Sequence, residues 1–213
     1  METLAWHFVC GTLRDGRPIP ADGEKLIHTG RLIPCESGLH WSERLIDALE
    51  YAPGATLCQV AVSGEIVRQD DKGVSTERTI LWRIDATDVL RKFARRCALD
   101  VAHLWDMPPV VRRFLETGDE TIRAAARDAA RDARDAAWAA QAARDAAWAA
   151  WAAAWAAAPR AARAAPRAAQ GAAQAARDAW AARAARAARD ARAARDAQST
   201  QLEAMVNDAR DAA

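Results

Sequence analysis

"ATLCQVAVSGEIVRQDDKGVSTERTILWRID", residues 55–85, holds two apolar runs rich in Val, Ile and Thr on either side of a short polar interruption. Runs of this length and composition, 55–67 and 75–85, read as β-strands, and Asp70, Asp71 and Lys72 between them suit an exposed hairpin turn. Towards the N-terminus, "LAWHFV" (4–9) and "KLIHTGRLIPC" (25–35) read as further strands on the same grounds. Between them and the hairpin, "SERLIDALEYA" sets Leu45, Ile46, Leu49 and Tyr51 near helical spacing behind Ser42, an expected N-cap, and Pro53-Gly54 should end it. Further helices are expected after Asp85, in "ATDVLRKFARRCALDVAHLW", and from "PPVVRRFLETG", where Pro108 or Pro109 suits a first helical position. Strands followed by helices predict an α+β fold, a small mixed module over residues 1–118.

Beyond residue 118 the composition collapses into alanine, arginine, aspartate and tryptophan, so residues 119–213 read as a helical tail. The length of 213 residues suits one ordinary domain with such an appendage. The net charge of +1 hides an uneven split: residues 1–120 carry 15 Lys+Arg against 19 Asp+Glu, and residues 121–213 carry 15 against 10. No leader pattern and no apolar run of about 18 residues is present, which predicts a cytoplasmic protein with no membrane partner. Cys10, Cys35, Cys58 and Cys97 form no C-x-x-C pair, so neither a zinc ribbon nor a thioredoxin-type site is signalled and reduced thiols are expected.

Alanine and arginine are strong helix formers, and residues 119–158 should make a rod of about 60 Å. Steps alternating between four and three run from Ile122 through Ala126, Ala129, Ala133, Ala136, Ala140, Ala143, Ala147 and Ala150 to Ala154, an uncharged heptad row whose small side chains permit close helix approach. Trp148, Trp151 and Trp155 fall within about 60° of one another on a second face. The repeated "RDAAW" sets Arg134 four residues before Trp138 and Arg144 four before Trp148, within cation–π reach. Pro159 and Pro166 should break the rod, a second helix should run from Pro166 or Gln170 to about Asp196, and Thr200 with Glu203 has the spacing of a capping box for a short final helix. The tail therefore reads as a helical hairpin. Nine arginines against two acids between Arg160 and Arg195 allow phosphate neutralisation, but no base-reading motif accompanies them.

The polar functional groups concentrate in residues 33–64. "CESGLH" (35–40), "DALEYAPG" (47–54), "GEIV" (64–67), "DDK" (70–72) and "DATDVLR" (85–91) together resemble a family of bacterial and phage proteins known only as a domain of unknown function, whose members often continue into Ala-rich, Trp-containing repeats. The resemblance covers roughly residues 4–120 and implies no activity. A more distant similarity is to ADP-ribosyltransferases of the poly-ADP-ribose polymerase type, carried by Trp6-His7, by Gly38-Leu39-His40-Trp41-Ser42, and by Tyr51 eleven residues after His40. That resemblance implies NAD as substrate, with His7 on the adenosine-side ribose, His40 near the nicotinamide ribose, Tyr51 stacked on nicotinamide, and Glu77 ahead of Glu65 as the catalytic carboxylate. The chain departs from the pattern at Phe8, where a glycine is usual, and at Ala48, where a hydroxyl is usual. Cys35, His28 and His40 fit no standard zinc spacing, and no metal site is expected.

Two function classes compete. The favoured one is an interaction or assembly protein without a cofactor, in which Trp138, Trp148, Trp151 and Trp155 on the alanine-rich helices meet a second copy or another protein. The alternative is an ADP-ribosyltransferase-like enzyme, or a degenerate relative of one, with His7, His40, Tyr51 and Glu77 as its site. Non-specific nucleic-acid binding through the arginines is a lesser third.

Overall fold

The computed structural model describes residues 2–13, 15–157 and 166–212, with side chains at all of these except 144, 145, 148–157 and 166–183. The chain forms two compact units. One joins Met1–Ala94 to the C-terminal Ala194–Ala213, and the other is Arg95–Ala193.

The first unit is an antiparallel sheet of β1 (Thr3–Val9), β2 (Lys25–Ile27), β3 (Leu39–Trp41), β4 (Thr56–Arg68) and β5 (Gly73–Asp85) in the order β1-β4-β5-β2, with β3 also pairing β5. The opening stretch of sequence is its central hairpin, closed where Gln69 N donates to Lys72 O at 2.7 Å. Two irregularities bend it, one between Gln59 and Val60, where Leu81 is the extra residue on β5, and one between Ser63 and Ile66. The bend brings the outer strands together: Trp6 N donates to Ser42 O at 2.8 Å and Ser42 N to Trp6 O at 3.0 Å, so the sheet curls on itself. Ala5, Val9, Trp41, Cys58, Val60, Val62 and Ile80 fill the inside, and each buried aliphatic contributes about 1.5–3 kcal/mol. Gly73 allows Trp41 to lie against β5, because a Cβ there would overlap the indole.

Three sequence expectations are corrected here. The strand expected over 25–35 ends at Ile27, and the pairing resumes only at β3. Ser42 is not an N-cap: it bridges to β1, and α1 (Leu45–Glu50) starts behind Arg44 with no side-chain cap. No separate helix begins near Ser199. One helix, α5, runs Pro166–Asp211, and inside it the two hydroxyls are used without capping: Thr200 Oγ1 donates back to Asp196 O at 3.1 Å and Ser199 Oγ donates to Glu203 at 3.2 Å.

The last turns of α5 are part of the first unit. Leu202 and Val206 are fully buried. Arg195 pairs with Asp47 at 2.9 Å and with Glu50, Arg44 pairs with Asp196 at 2.8 Å, and the Arg210 guanidinium lies 5.4 Å from the Trp82 ring centre. Trp82 in turn meets Trp6 edge to face at 5.8 Å and donates to Gln59 at 2.9 Å.

The second unit takes in the end of α2 (Thr87–Asp100), then α3 (Pro109–Thr117), α4 (Arg123–Ala157) and most of α5. Pro109 opens α3 and Gly118 closes it in the left-handed conformation at φ 69°. Ala126 and Ala129, early members of the alanine row, pack with Met107, Val111 and Phe114 in one cluster. Farther along, Ala136, Ala140, Ala143 and Ala147 are exposed, and Trp138 is 74% exposed. The side chains of Trp148, Trp151 and Trp155, and the expected turn at residues 158–165, lie outside the described residues.

Candidate functional site

A cavity of about 800 Å³ opens into the curl of the first unit. Its walls bring together residues far apart in the chain. β1 supplies His7, β3 supplies His40 and Trp41, Tyr51 follows α1, and Arg78 comes from β5. His7, His40 and Tyr51, the three residues singled out by the transferase resemblance, thus line one space.

Strand alternation explains who points inward. Val60 pairs with Ile80 and Val62 with Arg78, so Arg78 shares the inner face with the apolar core, and His7 shares it through its pairing with Cys58. Arg78 is only 4% exposed. Its Nη1 donates to the backbone carbonyl of His40, and among the described residues no carboxylate forms an ion pair with it. Burial lowers its pKa to about 10, which leaves a buried cation at neutral pH. Burial first, then the charges of Arg78 and His40, hold His7 well below the usual imidazole range, so His7 is neutral. Burial likewise pushes the Cys58 thiol up to about 11, too high for a nucleophile at neutral pH. Trp41 Nε1 is buried with no hydrogen-bond partner among the described residues.

Tyr51 is half-exposed at the mouth. Its hydroxyl donates to Asp71, accepts from Lys72 at 3.0 Å, and the Lys72 ammonium covers its ring at 4.4 Å. The hydrogen bond from Tyr51 holds Asp71 below the ordinary carboxylate range.

Glu77 is elsewhere. It is one residue out of phase with Arg78, accepts from Lys25 at 2.9 Å and Ser63 at 2.7 Å, and is not among the lining residues, and neither is Glu65. The carboxylates on the wall are Asp15, held by Arg17 at 2.7 Å, and the exposed Glu36. His28 and Ser37 meet at 3.2 Å on the same wall, and no group of three metal-ligating side chains forms among the described residues. Sequence reading missed Arg78. Its signal was the alternation itself, which sets an arginine in the apolar phase of "ERTIL" two residues before Ile80.

Fold and cavity together define an α+β protein with a curled antiparallel sheet around a small-molecule-sized space. Residues 12–92 match the family model described as Domain of unknown function (DUF7666), which takes in His40, Tyr51 and Arg78 and leaves β1 with His7 outside. No curated protein and no solved structure matches the chain.

Proposed function

We propose that the first unit is a binding module for a dinucleotide of the NAD type, a degenerate relative of ADP-ribosyltransferases that binds without transferring. The observation that carries this is the convergence of His7, His40 and Tyr51 on one cavity. Its volume of about 800 Å³ lies within the range of about 300–1,000 Å³ typical of small-molecule sites. Apolar walls from Val9, Leu13, Leu39 and Trp41 suit the flat rings of such a ligand, and a neutral His7 suits a ribose hydroxyl.

Two features argue against transfer chemistry. Glu77 is bound to Lys25 and Ser63 instead of facing the cavity. Lys72 covers one face of the Tyr51 ring, so a nicotinamide can stack on that face only after the ammonium moves. The test is a thermal melt of the full chain with NAD, with nicotinamide release followed in parallel. A ligand at a hundred times its Kd stabilises by about 2.7 kcal/mol, a readily measured shift, and no nicotinamide should be released. An unchanged melt at millimolar NAD refutes the reading, and steady nicotinamide release refutes the degenerate part of it.

A second reading rests on the other unit. From Ala136 to Ala147 the alanine row is exposed, and Trp138 stands three-quarters exposed beside it, an arrangement suited to docking a second copy or another protein. Sedimentation of the full chain and of Ala140→Arg tests it: an oligomer lost in the variant supports assembly, and a monomeric wild type removes self-association. Nucleic-acid binding has less support, since Arg195 is taken up by Asp47 and Glu50.

A further inference from the structure

We propose that the cavity contains an anion site built on Arg78, and that it receives a phosphate group of an organic phosphate. Arg78 lies on the inner face of the sheet, 4% exposed, with one hydrogen bond to the His40 carbonyl and no carboxylate paired to it among the described residues. A guanidinium carries five N–H donors in a planar fork, and buried charges are normally paired. The neighbours do not supply the missing anion. The Cys58 thiol stays protonated, Asp15 is held by Arg17 at 2.7 Å, and Glu36 is exposed. An open space of about 800 Å³ adjoins the fork instead.

The chemistry favours phosphate over carboxylate. Two oxygens satisfy the fork in either case, but a phosphate has a further oxygen free to accept from the neutral imidazole of His7, which shares the wall. The apolar remainder of the cavity calls for an organic body attached to the anion. This inference deepens the dinucleotide reading by naming the group that is anchored, and it requires neither nicotinamide nor adenine.

The experiment is calorimetric titration of the full chain, wild type, Arg78→Met and Arg78→Lys, with inorganic pyrophosphate, ADP-ribose and NAD. Wild type should bind pyrophosphate and bind ADP-ribose more tightly. Arg78→Met should weaken both by about tenfold to a hundredfold, with far-UV circular dichroism confirming its fold. Arg78→Lys, which keeps the charge and loses the fork, should weaken ADP-ribose by about tenfold and serves alone if Arg78→Met does not fold. Absence of both phosphate ligands at millimolar concentration overturns the site, as does unchanged affinity in the arginine variants. Equal affinity for pyrophosphate and ADP-ribose overturns the organic ligand. If NAD fails to bind while ADP-ribose binds through Arg78, the dinucleotide reading falls and the anion site stands.

Discussion

Replacing Arg78 by methionine should separate stability from ligand binding. The depression of its pKa to about 10 by burial corresponds to about 3 kcal/mol of unfavourable charge burial. Methionine removes that cost and fills similar volume with a flexible apolar chain. It also removes the hydrogen bond to the His40 carbonyl, worth about 1.5–3 kcal/mol for a charged donor. The two effects nearly cancel, so the unliganded variant should unfold within about 1 kcal/mol of wild type. Urea denaturation of the full chain, read by tryptophan fluorescence and far-UV circular dichroism, measures it through the midpoint at constant slope. An arginine that serves as a structural strut behaves differently, since breaking a buried charge pair costs about 3–5 kcal/mol. A loss of that size in Arg78→Met would refute the view that this side chain waits for a ligand.

Three further outcomes are expected. Because the folded-state pKa of His7 is lowered, below about pH 6.5 the unfolded chain takes up a proton that the folded chain refuses; stability should fall by about 1 kcal/mol between pH 6.5 and 5.5, and His7→Gln should flatten that slope in urea titrations. Gly73→Ala should destabilise by about 1–3 kcal/mol because the added methyl displaces the Trp41 indole, seen as a lower melting temperature and a changed near-UV signal. A fragment ending at residue 118 should lack a stable front unit, since it loses the buried Leu202 and Val206 at about 1.5–3 kcal/mol each; a well-dispersed amide spectrum from that fragment would contradict this.

The long elements were legible because their signals are local. The β4–β5 hairpin follows from two apolar runs around Asp70, Asp71 and Lys72, and α3 from Pro109 and Gly118. What escaped depends on distant partners. β3 is three residues long and exists through its pairing with Gly73–Ser75, and Ser42 serves β1 instead of a helix end. Of the site, His7, His40 and Tyr51 were found by resemblance, while Glu77 drew attention away from the adjacent Arg78, whose inward phase is fixed only when Val62 and Ile80 are set in register. The C-terminal anchor had a visible mark, Leu202 and Val206 four residues apart after a long stretch without aliphatics larger than alanine, but alanine-rich surroundings made Ser199 and Thr200 look like a new start.

Because the first unit is completed by Ala194–Ala213, the alanine-rich stretch is an insertion with both ends tied down, and not a free extension. A single proteolytic nick within residues 95–193 would therefore leave two polypeptides still held together by the buried Leu202 and Val206 and by the grip of Arg195 on Asp47 and Glu50. Such a clipped molecule would keep its cavity while losing the continuity of its chain.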